Sequence, residues 1–184
     1  TLDMFAVLLG GTTMLLPIFA KDILHVGPTG LGWLLAAPAT GAILTALVLA
    51  HRPPMRRAGR ALFLAVAAFG AATAGFALSR SIGLSLLLLV LVGAFDMVSV
   101  VIRSTLLQLL TPDELRGRVA AVNGLFLGTS NELGGFESGV TAAWLGPVGS
   151  AILGGIGAIT IAVLIFSAWP DLRRLGALEE AASA

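Results

Sequence analysis

Asp96 and Arg103 stand seven residues apart in an otherwise apolar run, with Ser99 between them. On a helix that spacing returns both side chains to nearly the same face, about 10 Å apart along the axis. A later run holds Asn123, Ser130 and Glu137 at sevenfold spacing, with Asn131 and Glu132 on adjacent faces and Gly124, Gly128, Gly134, Gly135 and Gly139 interspersed. Asp3 adds a carboxylate in the opening apolar stretch. An ionised group at mid-bilayer costs roughly 2.5–3.5 kcal/mol on the mildest scales, so such residues face a cavity or a partner. One reading makes this stripe a polar pathway in which a carboxylate, Asp96 or Glu132 first, takes and releases a proton or cation as a solute moves. The other is structural: Arg103 neutralises Asp96 or an acid on a neighbouring helix and ties two helices together. Glu137 also suits an interfacial residue in reach of external water.

The elements that must position these groups follow from hydropathy. The chain is 57% hydrophobic and 11% charged, with a mean hydropathy of +0.99 over 184 residues, outside the range of ordinary soluble domains. A bilayer core needs roughly 20 apolar residues of helix. Runs of that kind fall at 1–20, 30–50, 61–78, 83–110, 119–145 and 148–169, separated by short polar punctuation, with Pro170 marking the last helix end. The sequence therefore predicts an all-α integral membrane protein of six transmembrane helices over 1–170, followed by a cytoplasmic tail at 171–184. Short connections make sequential helices antiparallel neighbours. The fourth and fifth runs exceed what a bilayer requires, which implies tilt or extension beyond it.

Charge gives the orientation. Arg52, Arg56, Arg57, Arg60, Arg116, Arg118, Arg173 and Arg174 lie in alternate loops and after the last run, whereas the opposite loops hold only Lys21 and Arg80. The positive-inside rule places the arginine-rich loops in the cytoplasm and Thr1 toward that side. Small residues recur four apart, as Ser150, Gly154, Ala158 and Ala162, and as Ala67, Ala71 and Gly75, the pattern of closely packed membrane helices. Pro38, inside the second run, removes a backbone hydrogen bond and is expected to bend it. The first residues are already apolar, so the chain reads as a fragment beginning within a span.

Several function classes drop out. There is no cysteine and only two histidines, His25 and His51, which starves thiol chemistry and Cys/His zinc sites of ligands; no cofactor or metal is expected. No basic surface for nucleic acid emerges, and a G-x-x-x-x-G-K-[ST] phosphate loop is absent from this sequence. Gly93, Ala94, Phe95 and Asp96 approach the G-x-G-D pattern of intramembrane aspartyl proteases. Phe95 stands where the second glycine belongs, and the paired aspartate would have to be Asp3, so an enzyme is not expected. A non-transporting six-helix scaffold or a channel subunit is the alternative from another class.

The loops carry a resemblance. The run HRPPMRRAGRALF contains Arg57, Gly59 and Arg60 as R-x-G-R, which resembles the loop signature of the major facilitator superfamily; Arg56 stands where the fuller pattern has an acid, making this a degenerate copy. TPDELRGR at 111–118 resembles the loop between the tenth and eleventh helices of facilitator exporters, and Thr111, Pro112, Asp113 and Glu114 also make a plain helix N-terminal signal. With LDMFAVLLGG, GAFDMVSVVIRSTLLQLLTPDELRGRVAAVN and NELGGFESGV, the whole chain is similar to the C-terminal half of the transmembrane secretion effector group, which includes enterobactin-exporter-like permeases. The resemblance implies helices seven to twelve of a twelve-helix bundle in the cell membrane. It also implies an N-terminal six-helix half on the same polypeptide and export of a small molecule by alternating access, with protons as the coupling partner. Arg57, Gly59, Arg60, Glu114, Arg116 and Arg118 would then sit in cytoplasmic gating loops.

Overall fold

The computed structural model describes residues 11–51 and 58–168, and the described residues are helical with no strand. Asp3, Arg52, Arg56, Arg57, Arg173, Arg174 and the tail at 171–184 lie outside the described residues.

The described part of the opening run is not a regular helix. A 3₁₀ segment, Gly11–Leu15, leads into one turn of α-helix, α1 (Leu16–Ile18), and then a π-helical turn, Phe19–Ile23. The Leu24 amide reaches back five residues to the Phe19 carbonyl at 2.8 Å and the Val26 amide six residues to Ala20 at 3.0 Å, so the turn widens before it ends. His25 and Gly27 then take positive φ, 52° and 65°, and Pro28 starts the next helix with its fixed φ.

Three long helices follow: α2 (Gly27–Ala50), α3 (Ala58–Leu78) and α4 (Ile82–Leu110). The His51 imidazole Nδ1 bonds the Leu47 carbonyl at 2.8 Å, satisfying an acceptor at the end of α2. Buried serines tie the tight link between α3 and α4: Ser85 Oγ donates to Ser79 Oγ at 2.9 Å, and Ser79 Oγ donates to the Ser81 carbonyl at 3.1 Å. At the far end of α4 the Thr111 hydroxyl donates to the Leu107 carbonyl at 2.6 Å, and Pro112 stops the helix. With 29 residues α4 is about 44 Å long, against a hydrocarbon core of about 30 Å, as its sequence length implied.

The last run, α5 (Arg116–Ala168), has 53 residues and would measure about 80 Å if straight. It is not straight. Gly146 sits at φ 75°, ψ 164°, a conformation that suits glycine alone, and Pro147 follows it. Ser150 Oγ then donates to the Ser138 carbonyl at 3.0 Å and bonds Thr141 Oγ1 at 2.7 Å. Twelve residues of continuous helix would separate Ser138 from Ser150 by about 18 Å, so the arms 116–145 and 147–168 fold back on each other. Four helical runs among the described residues, α2 to α5, are long and apolar enough to cross a membrane.

Packing depends on missing side chains. A Cβ on Gly93 of α4 would fall on the Pro38 carbonyl of α2, and one on Gly41 would fall on the Val90 carbonyl, so these helices cross backbone to backbone. On the second arm of α5, Ser150, Gly154, Ala158 and Ala162 are all buried, as their spacing predicts. On α3 the expected line of Ala67, Ala71 and Gly75 is not the packed face: Ala71 is exposed, and Val66, Gly70, Thr73 and Ala77 are buried instead, with Gly70 against Gly155. Alanine is so frequent along α3 that spacing alone does not select a face. Phe19 and Phe76 meet at 4.8 Å within a core that includes Leu16, Leu34 and Leu89, which fixes the opening segment against α2, α3 and α4. Large apolar side chains such as Trp33, Leu64, Leu125, Phe136 and Trp144 point outward, as a lipid-facing or partner-facing surface requires.

Candidate functional site

Helix α4 carries the two charges of the stripe into different surroundings. Asp96 opens on a cavity of about 310 Å³ that five elements enclose. Thr12 and Thr13 come from the opening segment, Pro38 from α2, Phe69, Thr73 and Phe76 from α3, Gly93 and Asp96 from α4, and Asn131 from the first arm of α5. The wall is mostly apolar, with hydroxyls, an amide and one carboxylate set into it, the composition of a small-molecule site. The Thr73 hydroxyl donates to the Phe69 carbonyl at 2.9 Å, so it presents only its acceptor side to the cavity. The close crossing of α2 and α4 at Gly93 puts the Pro38 turn in this wall.

Asp96 joins no ion pair among the described residues. Arg103 is not its ion-pair partner and engages another group of the protein. Two turns along α4 the half-buried Arg103 lines a second cavity, of about 470 Å³, together with Gln108, Arg116 and Asn123. Ser99, between the two charges, is buried.

The remaining expected residues separate. Asn131 joins Asp96, and Asn123 joins Arg103. Glu132 is exposed on the first arm of α5 beside Asn131 and lines neither of these two cavities, nor does the half-buried Glu137. Among the loop residues, Gly59 is buried and Arg60, Glu114 and Arg118 are exposed. Arg116 pairs with Asp113 at 2.8 Å across one turn. Asp3 and Arg57 fall outside the described residues. Among the described residues no three His, Cys, Asp or Glu side chains gather as a metal site would require.

The sequence reading missed Thr12, Thr13 and Thr73, which supply hydroxyls around Asp96. The threonine pair directly after Gly10 and Gly11 in an apolar run was the available signal. Gln108 and Thr111, at the second cavity, had none beyond their position near a helix end.

Comparison with known proteins gives the family. A family model described as transmembrane secretion effector matches residues 4–184. The chain is 31% identical over 147 residues to the enterobactin exporter EntS of Escherichia coli O81 (strain ED1a), covering 78% of this chain and 35% of that protein. It is 31% identical over 147 residues to EntS of Shigella flexneri, with the same coverage of both chains, and 29% identical over 153 residues to EntS of Citrobacter koseri, covering 82% of this chain and 36% of that protein. The chain thus spans about a third of the length of these curated relatives. No solved structure matches it. The match over nearly the whole length, on an all-helical apolar chain, identifies a multi-pass protein of the cell membrane that belongs to the transmembrane secretion effector family of the major facilitator superfamily.

Proposed function

We propose that this chain is the C-terminal half of a secondary transporter that exports a small molecule by alternating access and couples export to proton entry. The observation that carries the reading is Asp96: a carboxylate without an ion-pair partner among the described residues, facing a cavity walled by aromatic, hydroxyl and amide groups at the meeting point of five elements. A group of that kind binds a proton or a cation and releases it when access changes side. Glu132, one residue from the cavity-lining Asn131, is the second carboxylate in the coupling path, and the path continues along α4 toward Arg103 and Asn123.

The break at Gly146 supports six spans in this half: the opening segment, α2, α3, α4 and the two arms of α5. The partner half, six further helices on the same polypeptide, would close the open side of the Asp96 cavity, since the matched stretch makes up only 35% of the relative's length. The arginine-rich loops face the cytoplasm, and Arg57, Gly59, Arg60, Glu114, Arg116 and Arg118 act there in gating, with residues 171–184 as a cytoplasmic tail. The relatives' name makes enterobactin the first solute to assay.

The test uses the full-length protein in proteoliposomes with an imposed pH gradient. Gradient-driven export of enterobactin that is lost in Asp96→Asn, and reduced in Glu132→Gln, with normal membrane insertion of both variants, supports the reading. Unchanged export in Asp96→Asn removes the carboxylate from coupling. A six-helix scaffold or channel subunit would show no gradient-driven export in the unaltered protein.

A further inference from the structure

The cavity around Arg103 has a composition opposite to that around Asp96. Arg103, Arg116, Gln108 and Asn123 line it, and no Asp or Glu does. The two hydroxyls in its wall are already committed: Ser104 donates to the Val101 carbonyl at 3.0 Å and Thr111 to Leu107 at 2.6 Å. The amides of Gln108 and Asn123 make no side-chain hydrogen bond among the described residues, so their N–H groups remain available to a guest. Both arginines already have a partner within the protein; that of Arg116 is Asp113, the two side chains are 54% and 84% exposed, and an exposed pair of this kind exchanges readily. A guanidinium carries five N–H donors in a planar fork, more than one partner takes up, and that fork matches the two oxygens of a carboxylate or phosphate. A cationic guest would meet two like charges here. An oxyanion would meet two guanidinium forks and two amide donors.

We infer that this cavity is an oxyanion-binding site, with Arg103 and Arg116 as its charge partners and Gln108 and Asn123 as neutral donors. The oxyanion comes from one of two sources, the headgroup of an anionic phospholipid or the anionic group of a soluble solute. The inference stands apart from the export reading, because binding requires neither a gradient nor transport.

The experiment places the full-length protein in nanodiscs of phosphatidylcholine and follows thermal unfolding as citrate is added at constant ionic strength. It then replaces part of the lipid with phosphatidylglycerol. The unaltered protein is expected to show a saturable rise in Tm with one of the two. In Arg103→Gln the concentration or lipid fraction giving half the effect rises about tenfold, the loss expected for one charge-assisted hydrogen bond. Arg103→Lys retains part of the response, as a point charge on a similar stem should. A response to citrate in phosphatidylcholine alone assigns the site to a soluble anion, and a response confined to phosphatidylglycerol assigns it to lipid; either supports the site. Equal responses in the unaltered protein and Arg103→Gln, or no response to either probe, overturn it. Arg116→Gln, at an exposed side chain, gives the same answer should Arg103→Gln not fold: its response must also fall, and an unaltered response overturns the site. Loss of export with intact binding leaves the inference standing, whereas equal binding across the variants ends it even where export is normal.

Discussion

Asp96 and Arg103 share a helix and nearly a face, yet the cavities they line differ in almost every respect. The first has a lone carboxylate among threonines, an amide and aromatic rings, in the part of the bundle where the opening segment, α2, α3, α4 and α5 all meet. The second has two guanidinium groups and two primary amides between the far half of α4 and the start of α5. Seven residues of helix, about 10 Å, separate a cavity lined by a carboxylate from one lined by two guanidinium groups. Spacing along one helix therefore says which residues share a stripe, and the neighbouring helices decide what each of them faces.

The sharpest way to break this contrast is to compare Asp96→Asn with Arg103→Gln in the same export assay. Asp96→Asn is expected to abolish dependence on the pH gradient, whereas Arg103→Gln, farther along the path, is expected to weaken it without abolishing it. Equal, complete loss in both would mean that the two cavities act as one coupling site. A smaller effect comes from the wall that shapes the first cavity: Gly93→Leu forces side-chain atoms onto the Pro38 carbonyl and is expected to cost about 1–3 kcal/mol, with a lowered Tm and loss of export. Normal melting of that variant would mean that the crossing of α2 and α4 relaxes. Ser150→Ala removes the hydroxyl shared by Ser138 and Thr141 at the fold-back of α5 and is expected to cost about 1 kcal/mol, read as a modest fall in Tm with little change in the Arg103 cavity. The smallest effect is expected from Asp113→Asn: its exposed pair with Arg116 contributes about 0–1 kcal/mol, so Tm barely moves. Through the freed Arg116, the same change should tighten oxyanion binding at the second cavity, which the citrate titration reads directly.

Much of this arrangement was legible in the sequence, for identifiable reasons. Hydropathy placed the long helical runs because apolar length is what a bilayer demands; α2 begins three residues earlier than expected, at Gly27, and α3 is already helical at Ala58. Leu145 and Val148 bracketed the interruption in α5, because Gly-Pro is a strong local breaker. Asp96, Asn131, Arg103 and Asn123 stood out because polar groups are costly in such runs, and all four line cavities. The division of those four into two pairs was not legible, since it depends on which helices lie side by side. The same limit hid Thr12, Thr13 and Thr73: threonine is cheap enough in a membrane helix that its presence alone does not mark a cavity. The π-helical turn at Phe19–Ile23 left no signal in the composition either, because it arises from backbone bonds that skip a residue before His25 and Gly27 reverse the chain.

The fold-back at Gly146 also bears on how the protein is made. The first arm of α5 carries Asn123, Asn131, Glu132 and Glu137, and two carboxylates make it a poor candidate to enter the bilayer unaided, at roughly 2.5–3.5 kcal/mol for a charge near the centre. The second arm, 147–168, has no charged residue at all. Joined by a single glycine and clamped by Ser138, Thr141 and Ser150, the two arms form one hairpin. Insertion of the polar arm is expected to depend on the apolar one, so truncation of the chain before Gly146 should strand the arm 116–145 outside the membrane.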